Sequence, residues 1–304
     1  MLAETAAPTA SEPMPRAAPR RAGPLGLVLR TAPGAVGIAL CAITLLAITV
    51  GPSLSPHDPG GFDLGAAFQM SSGRHWLGTD QMGRDLLARI MVGGRLSLLV
   101  GLGTVLLGVG IGVPAGLVSG AAGGKVDALI MRAVDILLAL PALIVALAVI
   151  AVIGPGVLNI TAAIGLRSIP IYARIARAEA IGLMTRDFVQ SARALGARPA
   201  RILCRHLLPN LVGPIVAISG LRMAAGILTA ASLTFLGLGV PPGEAEWGAM
   251  INDAKQYVRV HPYLVTYPGL AIMASVLGFN LAGDALQDAI NPRLRARMRS
   301  TSTS

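Results

Sequence analysis

The residues of this sequence that could do chemistry are few, and the most informative ones interrupt long apolar runs. Asn280, Asp284 and Asp288 recur at every fourth position near the end of the last apolar run, so they share one face of a predicted helix. Arg222 stands alone inside another apolar run. Because a charge inside a membrane is costly, such residues face protein or water and mark transport paths. The alternative is solvation of a cytoplasmic helix end, which we favour for Asp288.

Covalent chemistry has little support. The sequence contains no G-x-x-x-x-G-K-[ST] segment for ATP hydrolysis and no nucleophile beside a base, so no catalytic residue is assigned. Cys41 and Cys204 suggest neither a disulfide nor a metal site. The histidines are scattered over separate predicted loops without ligand spacing: His57, His75, His206 and His261. We therefore predict no cofactor and no metal.

The longest segment that is both polar and patterned for helix is residues 186–210, between two apolar runs. Phe188, Ala192 and Leu195 stand at i, i+4 and i+7, which predicts the apolar face of a short amphipathic helix. Gly196 follows where a left-handed C-terminal residue would end that helix.

A second helix is predicted to begin at Pro199, whose missing N–H is not needed in a first turn. Its apolar residues share one face: Ile202, Leu203 and Leu207. Pro209 then starts the next apolar run. The sequence thus predicts a helical hairpin at a membrane surface.

This segment resembles the EAA loop of binding-protein-dependent ABC importer permeases. Gln190 and Ser191 replace the usual Glu and first Ala, and His206 replaces an apolar residue, but the small residue, glycine, proline and spacing are kept. In that family the loop is a coupling helix that docks on the cytoplasmic ATPase. The resemblance implies this role for Gln190, Ser191, Ala192, Leu195, Gly196, Leu208 and Pro209. The alternative is an arginine-bearing loop held by anionic lipid headgroups.

Three other stretches are similar to the C-type permease subunit of dipeptide, oligopeptide and nickel importers. They are HWLGTDQMGRDLLARIMVGGRLSLLVG, SLTFLGLGVPPGEAEWGAM and YPGLAIMASVLGFNLAGDALQDAINPRL. One departure is Ala230, where relatives commonly have Glu. In the first stretch, Asp80 is predicted to cap the helix that carries Leu86. A plain capped helix at the outer interface is the alternative reading.

The composition excludes a soluble domain, since 54% of the 304 residues are hydrophobic and 13% are charged. A net charge of +10 could suggest nucleic acid as a partner, but the arginines cluster just outside apolar runs and are not interleaved with aromatic residues. We predict an all-α membrane protein with six spans, at residues 33–50, 96–117, 130–153, 157–172, 211–235 and 267–290. Arg132 and Asp135 are predicted to pair near the inner end of the third span.

With these spans, 18 of the 25 lysines and arginines lie on or near one side, which predicts that both termini are cytoplasmic. Residues 1–31 form a predicted disordered basic tail, and residues 32–94 the first span and an exported loop. The first apolar run could also be the core of a signal peptide, but we favour an uncleaved helix. Residues 95–290 form the permease domain with the coupling helix at 186–208, and residues 291–304 a cytoplasmic tail.

The resemblance implies a type I ABC importer permease (MetI-like) fold in a bacterial inner membrane. It implies as partners a homologous second permease, two ABC ATPase subunits, an extracytoplasmic solute-binding protein and membrane lipid. Peptide is the expected substrate, with nickel or another small solute as the alternative. Arg222, Asn280 and Asp284 would line the path or meet the partner permease. An ion-coupled secondary transporter would instead use Asp284, and a membrane-embedded enzyme would need paired polar groups at one depth, which we do not find.

Overall fold

The computed structural model describes residues 26, 28, 29, 31–241 and 243–290. Within these residues the secondary structure is helical, apart from one isolated β-bridge between Thr79 and Asp85. The predicted tail at 291–304 and almost all of the tail at 1–31 lie outside the described residues.

The main helices, numbered along the chain, are α1 (Ala32–Thr49), α2 (Leu86–Ala122), α3 (Gly124–Ala139), α4 (Ala142–Ile153), α5 (Val157–Met184), α6 (Asp187–Ala194), α7 (Pro199–Phe235), α8 (Trp247–Ala254) and α9 (Tyr263–Ile290). Short helical turns occur at Gly51–Leu54, Leu64–Ala66 and Lys255–Tyr257. Both α2 and α7 contain one π-helical turn, at Gly108–Gly112 and at Leu203–Leu207.

In the described part of the chain, four helices are long and apolar enough to cross a membrane: α1, α2, α7 and α9. The predicted third span is not one straight helix, because α3 and α4 meet at 90°. Pro141 explains the break, since a residue before proline avoids helical geometry and Leu140 has an extended ψ of 136°. Counted as one broken span, this pair brings the number to five. The number six stays a prediction.

The predicted fourth span corresponds to α5, which continues well beyond residue 172 to Met184. It carries Arg167, Arg174 and Arg177, so it is less apolar than the other long helices. Its position compensates, because α5 packs against α2, α3, α4 and α7 and its residues Tyr172 and Ala173 are fully buried. A central helix needs less apolar surface than one that faces lipid on most sides.

Glycines allow the long helices to approach closely. A Cβ on Gly116 of α2 would lie 2.2 Å from the carbonyl oxygen of Ala173 in α5. A Cβ on Gly220 of α7 would lie 2.9 Å from the Cα of Gly283 in α9. Small residues at helix contacts are the usual way to pack helices in a membrane. The α2–α5 and α7–α9 contacts are therefore backbone to backbone.

The buried apolar residues form two main clusters at opposite ends of α7. One joins α5, α6 and the first half of α7 and includes Tyr172, Val189 and Leu207. The other joins α2, the second half of α7, α8 and α9 and includes Leu86 and Trp247. The first lies under the predicted hairpin, residues 186–208, and the second lies under a loop layer that we define as residues 51–85 and 243–262.

Two local predictions at the loop layer and at α3 are wrong. Asp85, not Asp80, caps α2, since its Oδ1 accepts a hydrogen bond from the Ala88 N–H at 2.8 Å. Asp80 instead forms an ion pair with Arg84 at 2.6 Å, because a tight turn separates it from the helix. Asp135 pairs with Arg174 of α5 at 2.6 Å and not with Arg132, because α3 packs on α5.

Candidate functional site

The hairpin begins with α6, whose end is built as the sequence predicts. Gly196 has a φ of +79°, in the left-handed region that favours glycine. Its N–H donates to the Arg193 carbonyl at 2.9 Å, and the Ala197 N–H donates to the Ala192 carbonyl at 3.0 Å. These two bonds form a Schellman motif, which satisfies carbonyls that the helix end leaves free.

The second limb of the hairpin is the first part of α7. Pro199 is its first residue, as predicted, and the chain stays helical from there to Phe235. Leu208 and Pro209 therefore lie inside one continuous helix, 37 residues long, that leads from the hairpin into the apolar span. A displacement of the hairpin is thus connected to the span without an intervening loop.

The predicted apolar face of α6 is not the face that packs against this chain, whereas in the second limb two of the three predicted apolar residues are buried. Val189 is fully buried, while Phe188 is 44% exposed and Leu195 is 89% exposed. The predicted face begins at Phe188, whereas the residue of α6 that packs under α5 is the next one in sequence, Val189. In the second limb, Ile202 and Leu207 are buried as predicted.

The remaining predicted coupling residues are at the surface. Ser191, Leu208 and Pro209 are exposed, and Ala192 is half-buried. Gln190 is exposed but not free, because its Nε2 donates to the Met184 carbonyl at 2.8 Å and ties α6 to the end of α5. The hairpin also carries exposed arginines: Arg186, Arg193, Arg198, Arg201 and Arg205.

Such a surface can bind a protein partner. Phe188 and Leu195 provide apolar anchors, and the arginines around them suit an acidic rim, which is the arrangement of many protein interfaces. Nothing in this arrangement resembles a reaction site, since the hairpin holds no paired acid and base.

The other predicted site residues lie on α7 and α9, which touch at Gly220 and Gly283. Arg222 is midway along Leu208–Phe235, and its buried Nε has no hydrogen-bond partner. Asn280 is half-buried and Asp284 is exposed. No ion pair joins Arg222 to a carboxylate within the described chain. The structure therefore places these residues on adjacent helices without pairing the charges.

A buried polar network that the sequence analysis missed joins the loop layer to the start of α2. Arg89 is 2% exposed and donates to the carbonyls of Gly243 and Glu244, both at 3.3 Å. Glu246 accepts from Ser97 Oγ at 2.8 Å and from the Ala249 N–H at 3.0 Å, which caps α8. Arg89 lies about 150 residues from Gly243 and Glu244, as Ser97 does from Glu246, so local spacing in the sequence carries no sign of these contacts.

Two of the histidines are not scattered. The rings of His57 and His75 stack with centroids 4.5 Å apart, and His75 Nδ1 lies 2.9 Å from Asp85 Oδ2. The loop layer and the start of α2 together line an open cleft of about 890 Å³, whose lining residues include Arg84, Arg89 and Asp253. The loop layer is thus a folded unit and not a simple connection between spans.

Comparison with known proteins identifies the family and the fold. Residues 112–296 match the model of the binding-protein-dependent transport system inner membrane component family. The chain is 42% identical over 264 residues to a glutathione transport system permease protein of Pectobacterium atrosepticum, covering 86% of this chain and 88% of the relative. It is 38% identical over 261 residues to a dipeptide transport system permease protein of Alkalihalophilus pseudofirmus, covering 86% of each.

A di/tripeptide transport system permease protein of Pseudomonas aeruginosa is 40% identical over 265 residues, covering 85% of this chain and 88% of the relative. Among solved structures, a chain of the MetNI methionine ABC transporter in an inward-facing conformation superposes with a TM-score of 0.54 at 18% identity, covering 68% of this chain and 97% of that one. This likeness confirms the predicted all-helical, MetI-like permease fold. The chain belongs to the family of binding-protein-dependent transport system inner membrane components.

Proposed function

We propose that this chain is the permease subunit of an ATP-driven importer that moves short peptides into the cytoplasm by alternating access. The relatives named for dipeptides, di/tripeptides and glutathione support the substrate class. The observation that carries the mechanism is the hairpin, which exposes Leu195 and five arginines at its surface while Val189 anchors it in the core.

Energy comes from a partner, since the sequence has no P-loop. Two ATPase subunits close on ATP and push the hairpins of this chain and of a homologous second permease. Because α7 runs unbroken from the hairpin into the span, the push tilts the span and exchanges outward for inward access. An extracytoplasmic solute-binding protein delivers the peptide to the opposite face.

The path itself is proposed to run beside α7 and α9. Arg222, Asn280 and Asp284 would line it or meet the second permease, because a charge at mid-membrane depth needs water or protein around it. In this orientation the hairpin and both termini are on the cytoplasmic side of a bacterial inner membrane.

The coupling role is tested with Leu195→Asp in the reconstituted complex, measuring peptide uptake and ATP hydrolysis together. Leu195 is 89% exposed, so the change leaves the fold intact and places a charge on the proposed docking surface. Leu64→Asp is the matched control, because Leu64 is 76% exposed in the loop layer. We expect Leu195→Asp to lose uptake and to uncouple or release the ATPase, and Leu64→Asp to retain both activities. Equal activity of the two variants would contradict the coupling role.

Gly196→Asp is a stronger version of the same test, since it also removes the residue that ends α6. We expect no uptake, with the permease still inserted in the membrane. Gly182→Asp is the control, because Gly182 also has open space around it but lies in regular helix.

Orientation and substrate need separate measurements. Cys204 is exposed on the hairpin, so a membrane-impermeant maleimide labels it in inside-out vesicles and not in intact spheroplasts. Labelling from the outside would invert the arrangement. For the substrate, labelled dipeptide and glutathione are compared with labelled Ni²⁺ in proteoliposomes that contain the adjacent binding protein. Uptake of Ni²⁺ alone would replace peptide by metal as the cargo.

A further inference from the structure

The loop layer brings together three side chains that are typical metal ligands. His57 follows the turn at Gly51–Leu54, and His75 and Asp85 precede and cap α2. One potential ligand atom from each of the three residues lies within 4.8 Å of the others. We propose that His57, His75 and Asp85 form a binding site for one divalent transition-metal ion of the Zn²⁺ type.

The donor set fits this class of ion. Imidazole nitrogens with one carboxylate oxygen are ligands that Zn²⁺ and its neighbours accept, whereas Ca²⁺ and Mg²⁺ prefer sets made of oxygen. Three protein ligands leave a fourth position for water or for an incoming donor. The half-buried His57 provides the access from solvent.

The distances are close to those of a formed site. Bonds of about 2.0–2.2 Å to nitrogen and oxygen place ligand atoms no more than about 4.4 Å apart, so the observed limit of 4.8 Å requires only a small side-chain adjustment. His75 Nδ1 and Asp85 Oδ2, 2.9 Å apart, match two neighbouring ligands at about a right angle. The metal takes the place of the proton between them, and that proton leaves to solvent.

The surroundings hold the ligands in position. Asp85 Oδ1 accepts from the Ala88 N–H, which fixes the carboxylate while Oδ2 faces His75. His57 Nε2 lies 2.7 Å from the Arg74 carbonyl, which can only accept a hydrogen bond, so in the neutral ring Nε2 is the donor and Nδ1 has the lone pair that a metal would need. A second hydrogen bond that orients the ring is the usual support of a histidine ligand.

The charge of Asp85 is also available. The neighbouring arginines, Arg84 and Arg89, pair with Asp80 at 2.6 Å and 3.6 Å. Within the described residues, the ion-pair partner of Asp85 is His75 alone. A bound cation would therefore neutralise the buried carboxylate of Asp85 without displacing an arginine. It would also link the segment after α1, which carries His57, to the start of α2.

The test uses the full chain in detergent, purified without a histidine tag, with Zn²⁺ titrated by calorimetry and Co²⁺ binding followed by its visible absorption. We expect one ion per chain and release of a proton. His57→Ala should weaken binding at least about tenfold, because one ligand is lost while the Asp85 bonds to His75 and Ala88 remain. At the same concentration, Zn²⁺ should raise the melting temperature of the wild-type chain more than that of His57→Ala.

Two matched variants separate this site from other donors. His261→Ala removes a loop-layer histidine whose ring stacks on Phe68 with centroids 4.4 Å apart, outside the cluster, and Cys204→Ser removes the exposed thiol. Both should bind Zn²⁺ like the wild type. Wild-type binding no tighter than that of His57→Ala, or binding lost in either control, would overturn the proposal. None of these readouts involves transport, so the outcome is independent of the proposed import function.

Discussion

The hairpin and the loop layer stabilise themselves in opposite ways. The loop layer is held to α2 by buried polar contacts between residues far apart in sequence, such as the contact of Arg89 with Gly243. In the hairpin, backbone bonds are local, charged side chains stay in water, and few side chains are buried, chiefly Val189, Ile202 and Leu207. The buried side-chain polar atoms of the loop layer have hydrogen-bond partners within the described chain, whereas the hairpin leaves most of its surface for another molecule.

This difference teaches where each region is vulnerable. Buried ion pairs are sensitive to loss of one partner, since the other is left as an uncompensated charge. Most substitutions on the exposed surface of the hairpin should change its stability little, but they should weaken the binding of a partner. Mutations should therefore separate folding effects in the loop layer from coupling effects in the hairpin.

The largest effect is expected for Asp80→Asn in the loop layer. The change leaves the guanidinium groups of Arg84 and Arg89, both 2% exposed, without their carboxylate. We expect a loss of about 3–5 kcal/mol of unfolding free energy. Asp58→Asn is the control, since Asp58 is exposed and, among the described residues, its side chain accepts only from the nearby Gly60 N–H. It should change stability by under about 1 kcal/mol. Denaturation in detergent micelles measures the unfolding free energy of both variants. Similar losses in Asp80→Asn and Asp58→Asn would contradict a stabilising role for the buried ion pairs.

The next effect is expected for Val189→Ala in the hairpin. Val189 is fully buried, so removing two methyl groups should cost about 1.5–2 kcal/mol and increase hydrogen exchange in residues 187–197. Phe188→Ala is the control, because Phe188 is 44% exposed, and it should cost less despite removing more atoms. A larger loss for Phe188→Ala would restore the face that the sequence pattern predicted.

Alanine at two glycines should shift stability in opposite directions. Gly196 needs a left-handed backbone, so Gly196→Ala should destabilise the hairpin by about 1–2 kcal/mol. Gly182 lies in regular helix with no atom near its added Cβ, so Gly182→Ala should stabilise by about 0.5–1 kcal/mol. Hydrogen exchange of α5 and α6 distinguishes them, and shifts of equal sign would show that the end of α6 is not held as described.

The smallest effect concerns pH and the loop layer. Burial raises the pKa of the Asp253 carboxyl, with Asp80 adding to the rise and Arg89, Arg84 and Lys255 opposing it. Because the folded state holds this proton more tightly than the unfolded state, the fold loses stability as pH rises from the ordinary aspartate pKa through the raised one. Asp253→Asn should therefore raise the melting temperature slightly at neutral pH and abolish this part of the pH dependence. A lower melting temperature at neutral pH would mean that the charge is stabilising.

Local signals predicted the local features well. Gly196 and Pro199 end and begin helices because each has a backbone preference that acts within a few residues. The apolar runs predicted most of the candidate membrane helices because length and hydrophobicity are also properties of a continuous stretch of sequence. The break at Pro141 was also readable in principle, since proline restricts the residue before it.

The features that the sequence did not predict depend on contacts between residues far apart in the chain. The buried face of α6 depends on where α5 ends, and the partner of Asp135 is Arg174 on another helix. His57, His75 and Asp85 meet because the loop layer folds back on itself, which ligand spacing in the sequence does not show. The buried face of α6 and the partner of Asp135 could not be predicted from one helix alone, because in both cases a second helix sets the environment.

The π-helical turn at Leu203–Leu207 changes the direction in which the side chains of α7 point around the helix axis. Ile202 and Leu207 are both buried although five positions separate them, which in a regular α-helix would turn them about 140° apart. The wider turn absorbs the surplus residue and brings the two side chains back to one side. Deleting a single residue in this turn would rotate the rest of α7 by about 100° around the helix axis. Arg222, which lies midway along that part of the helix, would then face a different neighbour. The π-helical turn therefore sets the rotation of the rest of α7 about its own axis. It does so at the start of that helix, next to the hairpin surface that a partner would contact.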